Sequence, residues 1–332
     1  MTIDTIGALK DALRSRAKST LLHVPPFARV LRERDALREE VAQLRAMSPG
    51  TPRDDARQFV PPGHYYSPIP SLREVRGNEA RIFGVPPRTL PGIELREREQ
   101  VALLKSFEPF YEAQPFASER APSRRYFFDN PAYSYSDALF LHFMIRHARP
   151  RRIVEVGSGY SSCVMLDTNE LFFDGAIACA FVEPFPELLR SLLRPGDEAG
   201  IDLFRCGVQS VPLAEFERLE RNDILFIDST HVAKIGSDVN FLFFEILPRL
   251  APGVYVHFHD IFYPFEYPRE WVLEGRAWSE AYLLRALLTL SGSFDIVMFN
   301  TFLEHFHREY FEERMPLCLR NPGGSIWLRR RS

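Results

Sequence analysis

Between residues 152 and 259 the chain repeats one pattern five times: a short run of β-branched, aliphatic and aromatic residues, set off from the next by a helix-length segment. The runs are 152–157, 177–183, 202–208, 223–228 and 254–259, and the segments between them are 161–172, 185–193, 213–220 and 238–250. Strands separated by helices cannot pair as hairpins. They pair side by side through crossovers, so the fold predicted is α/β, a doubly wound and mostly parallel sheet. A helix over 277–290 and two strands, 294–299 and 325–330, complete the pattern.

The rest of the chain is arranged around that sheet. From Ser136, read as an N-cap, an apolar helix runs to Arg149-Pro150, and the residues from 136 to 332 are expected to form the main domain. Ahead of it, residues 49–135 are rich in proline and aromatics, which suits turns and extended stretches packed on the core rather than a second core. Residues 1–48 read as helical, with Ile6, Leu9, Leu13, Ala17 and Leu21 at helical spacing and a break at Pro25-Pro26. Val30, Leu37, Val41 and Leu44 then recur among Arg and Glu, a short coiled-coil spacing through which copies of the chain could pair as a homo-oligomer.

Composition excludes several classes of function. Lys and Arg number 41 against 44 Asp and Glu, so no global basic field draws nucleic acid or an anionic membrane, and neither is expected as a partner. Cys163, Cys179, Cys206 and Cys318 lie apart, without zinc-site spacing, and read as free thiols of a reducing compartment. No apolar run reaches membrane-spanning length and no leader pattern opens the chain, so a cytoplasmic location is expected.

The segment Arg152-Ile-Val-Glu-Val-Gly157-Ser-Gly159-Tyr-Ser-Ser162 reads as a buried strand, a glycine turn and a helix start. Backbone N–H groups at such a start face a ligand, and glycine is expected there because a Cβ would block the ligand's approach. A dinucleotide fold asks for a third glycine in G-x-G-x-x-G; here that position is Ser162, which weakens an NAD reading. Glu155 is an acid within an apolar strand, costly to bury unless it accepts hydrogen bonds from the turn or faces a cationic ligand. Glu183 ends the second strand, where a carboxylate can take both hydroxyls of a ribose.

Through Glu155-Val-Gly-Ser-Gly159, Glu183-Pro184 and Asp228, the sequence resembles a class I S-adenosylmethionine-dependent methyltransferase over residues 125–330. It is similar to a bacterial branch of that superfamily through Tyr65-Tyr-Ser-Pro-Ile-Pro70, Phe128-Asp-Asn-Pro131, Ile227-Asp-Ser-Thr-His231 and His257-Phe-His-Asp260. The resemblance implies a Rossmann-like methyltransferase fold with S-adenosylmethionine as cofactor. It implies that Glu155, Gly157, Ser158 and Gly159 surround the methionine part, that Glu183 holds the ribose, that Val208 or Gln209 lies near the adenine, and that Asp228 borders the same site. The family's usual third glycine is absent, with Ser161-Ser162 beyond Tyr160.

Two strand ends carry the chemistry. The fourth delivers Asp228 and then His231, the fifth His257, His259 and Asp260, and in a parallel sheet both open onto one crevice. Methyl transfer from a sulfonium to oxygen is an in-line displacement, and a positioned base typically adds about 10²–10⁴-fold to its rate. His231 or His259 could be that base, with Asp260 orienting it; alternatively Asp228, His259 and Asp260 ligate a divalent metal that acidifies the acceptor hydroxyl. His257 reads as a satisfied core histidine, His305 and His307 as exposed helix residues, and Asp238 and Asn240 as caps of the next helix.

The loop 261–271, dense in aromatics, is expected with Tyr65, Tyr66, Tyr133 and Tyr135 to wall an acceptor pocket suited to sugars or phenolic rings. The expected activity is therefore methylation of an oxygen on a small molecule or saccharide. The alternatives are a non-catalytic cofactor-binding partner protein acting through its N-terminal helices, and an NAD-linked oxidoreductase.

Overall fold

The apolar runs become strands where their pattern puts them: β1 (Arg152–Val156), β2 (Ala178–Val182), β3 (Asp202–Phe204), β4 (Ile224–Ile227) and β5 (Tyr255–His259). In the computed structural model residues 59–331 are described, so the helical segment expected over 1–48 and residues 49–58 lie outside the described residues. Two later strands, β6 (Phe294–Phe299) and β7 (Ser325–Arg330), bring the sheet to seven in the order β3-β2-β1-β4-β5-β7-β6. Neighbours from β3 to β5 are parallel, and β7 runs antiparallel between β5 and β6. β1 and β4 are buried almost throughout, as strands covered on both faces must be.

The order of strands reverses between β1 and β4, and at such a switch point the connections leave in opposite directions, opening a crevice at the carboxyl edge. The pairing continues one residue past the strands: Gly157 donates its N–H to Val182, Asp228 to Val156 and Glu183 to Phe204. Those added bonds fix the first residues of the loops that form the site.

Four short helices, α1 (Leu72–Gly77), α2 (Glu79–Ile82), α3 (Glu97–Ser106) and α4 (Glu108–Glu112), precede the buried α5 (Ser136–Ala148). Tyr135, at φ 43°, stands at the cap position of α5, and Ser136 is its first helical residue, donating its N–H to Asn321, so Ser136 is not the cap. The crossovers are α6 (Tyr160–Phe173), α7 (Glu187–Leu192), the single turn α8 (Ala214–Glu217) and α9 (Asp238–Phe241). The helix expected over 238–250 changes pitch, to a π-helical turn at Leu242–Ile246 and a 3-10 turn at Leu247–Arg249. Pro248 is the reason, because it has no N–H for the α-helical ladder. After β5 come α10 (Arg269–Leu273), α11 (Glu280–Leu290), α12 (Asn300–Phe306) and α13 (Arg308–Arg314).

Residues Pro62–Ser332 form one compact unit. Phe107, Phe116, Tyr126 and Phe128 share a single core with Phe140 and Phe143 of α5, the Phe107 and Phe143 rings lying 5.4 Å apart. Arg125 adds a buried charged anchor, 2.7 Å from both Asp167 on α6 and Asp197. The same Asp167 accepts the N–H groups of Arg125 and Tyr126, so its charge is compensated from two directions.

Candidate active site

The turn after β1 is shaped by its neighbour strand. Gly157 adopts φ +84°, and a Cβ there would lie 1.9 Å from the carbonyl oxygen of Asp228. The expectation that a side chain at Gly157 would obstruct a ligand is corrected: it would collide first with the backbone at the end of β4. Gly159 is different, with an extended φ of 173°, and a Cβ there would meet only the flexible Leu188 side chain, at 3.3 Å.

Glu155 is fully buried, 0% exposed, and both its oxygens accept hydrogen bonds from the hydroxyls of Ser161 and Ser162. Ser162 in turn accepts the N–H of Gly159 at 3.0 Å. Of the two ways the sequence allowed Glu155 to be buried, bonds from the turn are therefore the one adopted. The absent third glycine has the same explanation, since these two serines support the acid from the first turn of α6. Burial, with only partial relief from the serines, pushes the Glu155 carboxyl up to about 8.

A cavity of about 450 Å³ opens at the carboxyl edge, lined by Gly157, Glu183, Val208, Gln209 and Asp228 among others. Five of the residues expected at a cofactor thus meet there, while Glu155, Ser158 and Gly159 do not line it. Glu183 accepts the N–H groups of Ser158 at 3.1 Å and Phe185 at 2.9 Å, one on each oxygen. The Ser158 hydroxyl is buried and has no hydrogen-bond partner among the described residues. Gln209 donates its amide to the carbonyl of Gly236 at 2.9 Å, tying the loop after β3 to the loop after β4.

Asp228 is also a wall of the second feature, an acid–histidine cluster. One ligand atom from each of Asp228, His259 and Asp260 lies within 4.8 Å of the others. His231 Nε2 stands 3.4 Å from Asp228 and 3.5 Å from Asp260, and His259 Nε2 stands 3.5 Å from Asp260. His231 and Asp260 hold left-handed backbone angles, φ 60° and 55°, conformations that non-glycine residues keep only where the surroundings over-determine them.

The cluster's charges are strongly perturbed. Burial opposes a charge on His231, but its bonds to Asp228 and Glu280 outweigh that and raise it to about 10. Burial likewise opposes a charge on His259, and Asp260, Asp228 and Asp137 overcome it, raising that imidazole too. Burial pushes Asp228 upward, yet His259 and His231 hold its carboxyl below the usual range, whereas for Asp260 burial wins. His231 is thus a fixed cation at neutral pH with carboxylates on both ring nitrogens, an arrangement poorly matched to accepting a proton.

Other expected residues fall elsewhere. His257 is buried and stacks on Phe226 at 4.0 Å, but neither of its ring nitrogens finds a hydrogen-bond partner among the described residues, so it is a core histidine without being a satisfied one. Ser237, not Asp238 or Asn240, caps α9; Asp238 instead binds the N–H and hydroxyl of Thr230, and Asn240 the carbonyl of Lys234. His305 is exposed, and half-buried His307 pairs with Glu97 at 2.9 Å. Tyr133 and Tyr135 are core residues, the former 5.1 Å from the His259 ring. Phe262, Tyr263 and Tyr267 line a separate cavity of about 410 Å³ with residues 80–87, and Tyr65 lines a third.

Two participants were not read from the sequence. Asp137, buried on α5 and raised to about 6 by that burial, acts on His259 across the sheet. Glu280, buried at the start of α11, binds His231 Nδ1 at 2.9 Å across 49 residues of chain. A first-turn acid is the ordinary complement of a helix dipole, so neither carries a sequence signal of its role.

Residues 154–261 match a family model described as a methyltransferase domain. The chain is 38% identical over 174 residues to an uncharacterized protein of Archaeoglobus fulgidus, a match covering 50% of this chain and 76% of that one. Among solved structures, the O-methyltransferase TomG from Streptomyces achromogenes in complex with SAM is 15% identical, covers 72% of this chain and 92% of its own, and has a TM-score of 0.40. The SAH-bound Podospora anserina methyltransferase PaMTH1 is 13% identical, covering 69% and 88%, with a TM-score of 0.41. The chain shares a family with the archaeal protein, and its residues 154–261 match a methyltransferase domain.

Proposed function

We propose that this protein methylates an oxygen of a small-molecule acceptor, with a saccharide hydroxyl as the acceptor class, and that Asp228, His259 and Asp260 hold a divalent cation for the reaction. The observation that carries this reading is the double position of Asp228, which lines the crevice and also belongs to the acid–histidine cluster. A donor on one side and an acceptor on the other would meet at that residue.

The crevice fits the cofactor on its own terms. Its volume suits a nucleoside-sized ligand, the residue next to Gly157 carries a buried hydroxyl without a partner among the described residues, and Glu183 keeps free lone pairs on both oxygens for ribose hydroxyls. Val208 and Gln209 close the end where the adenine would lie. The cluster fits a cation as well, offering two carboxylates and one imidazole, a set suited to Mn²⁺ better than to Mg²⁺. A bound cation would lower the pKa of the acceptor hydroxyl and fix its direction toward the methyl group. Asp260 and Asp228 would orient that hydroxyl.

A second reading is kept for one reason: His259 sits 3.5 Å from Asp260 with its Nδ1 unpartnered, the arrangement of an oriented general base. Transfer of labelled methyl from S-adenosylmethionine to fractionated extract, with mass identification of the product, tests the activity. Strong inhibition by a chelator, reversed by Mn²⁺, is expected. Full activity in chelator would move the role to His259 as base, and no transfer to any fraction would remove the O-methylation reading. His259→Ala is expected to lower turnover by at least about 10²-fold while calorimetric S-adenosylmethionine affinity stays within about twofold.

A further inference from the structure

We propose that Glu280 is a positioning residue of the acid–histidine cluster: it holds His231 so that one Nε2–H faces Asp228 and Asp260 together and keeps the two carboxylates set to receive a divalent cation. The proposal rests on the metal reading above.

Two carboxylates directed at one point are held in a fixed relation where one donor is shared between them. His231 is that donor here, with Nε2 at 3.4 Å from Asp228 and 3.5 Å from Asp260. The residue is held at three places. Nδ1 binds Glu280 at 2.9 Å, the Trp278 ring packs against it at 4.4 Å, and its backbone carbonyl accepts the N–H groups of Ser279 and Glu280 at 2.9 and 3.1 Å. Ser229 completes the clasp by donating its hydroxyl to the other oxygen of Glu280 at 3.0 Å while accepting the N–H of His231 at 3.2 Å.

The arrangement joins the loop after β4 to the first turn of α11, and both members of the pair are almost fully enclosed: His231 is 5% exposed and Glu280 1%. An imidazole whose Nδ1 is fixed by a carboxylate has its other nitrogen aimed within a few degrees. That is how groups outside a coordination sphere orient the ligands within it, and their loss typically lowers metal affinity about 10–100-fold. Glu280 itself neither lines the cavity nor belongs to the three-ligand group, and it reaches that group through His231.

The test is Mn²⁺ binding by electron paramagnetic resonance on the full chain, with S-adenosylmethionine affinity measured in parallel by calorimetry. Glu280→Ala is expected to weaken Mn²⁺ binding about 10–100-fold, and Glu280→Gln, which still offers an acceptor to Nδ1, to restore it to within about threefold of wild type. S-adenosylmethionine affinity is expected to stay within about twofold in both, showing that the crevice is intact. Equal Mn²⁺ affinity in Glu280→Ala and wild type overturns the positioning role. Wild-type protein that binds S-adenosylmethionine but no Mn²⁺ overturns the metal reading and the proposal with it. If Glu280→Ala does not fold, Ser229→Ala decides, with weaker Mn²⁺ binding expected and unchanged binding contradicting the proposal.

Discussion

At the scale of single residues, the site is made by groups whose neighbours leave them little choice. Gly157 cannot carry a side chain, since a Cβ would overlap the Asp228 carbonyl at 1.9 Å and the backbone is left-handed. Gly157→Ala is therefore expected to destabilise the protein by several kcal/mol, about 1–2 for the backbone angle and about 1–3 for the overlap. Gly159→Ala meets only Leu188 and is expected to lose less than about 1 kcal/mol, a contrast that urea unfolding of the two variants would measure. Glu155 gives a pH dependence with a definite sign. Its carboxyl is pushed up to about 8 in the folded protein from an ordinary value of 4.5, so between those values the folded state keeps a proton that the unfolded chain has released. Stability from this group is fully present below the ordinary value and is lost as pH rises through about 8, by at most about 1.4 kcal/mol per unit. Glu155→Gln, which mimics the protonated acid with one donor and one acceptor, is expected to flatten the fall in thermal midpoint between about pH 5 and pH 8. A variant whose midpoint falls as steeply as that of wild type would clear Glu155 of the effect.

At the scale of elements, loops fixed to one another matter more than the strands they extend. Gln209 joins the loop after β3 to the loop after β4 through the Gly236 carbonyl, spanning the cavity. Gln209→Ala is expected to weaken S-adenosylmethionine binding about fivefold, the worth of one hydrogen bond of about 1 kcal/mol, with the unfolding midpoint nearly unchanged. Calorimetry on the variant checks this, and unchanged affinity would show that the strap does not shape the cofactor's end of the crevice. The π-helical turn at Leu242–Ile246 belongs to the same scale: periodicity marked a continuous helix, and Pro248 supplied the visible warning that its ladder would shift.

At the scale of the whole molecule, residues 62–135 contribute to the core from which the catalytic sheet is built. Phe107 packs against Phe140 and Phe143 of α5 with no exposed surface, and Tyr133 reaches from the same segment to the His259 ring. Phe107→Ala is expected to destabilise the protein by about 3–5 kcal/mol, read as a fall in thermal midpoint. A loss below about 1 kcal/mol would mean that the lead-in only lies on the sheet. Among the described residues no helix is long and apolar enough to cross a membrane.

The sequence by itself determined the sheet, because five apolar runs separated by crossovers have one way to bury both faces, and it determined the crevice residues Gly157, Glu183 and Asp228, because strand ends converge on the carboxyl edge. It also posed the choice for Glu155 without resolving it. Only the tertiary structure decided that Glu155 faces Ser161 and Ser162, that His231 is a clamped cation, and that Glu280 and Asp137 take part. Local pattern reports periodicity, which fixes which face of an element is buried. It does not report which polar groups from distant segments are enclosed together, and the charge of a buried group is set by those neighbours.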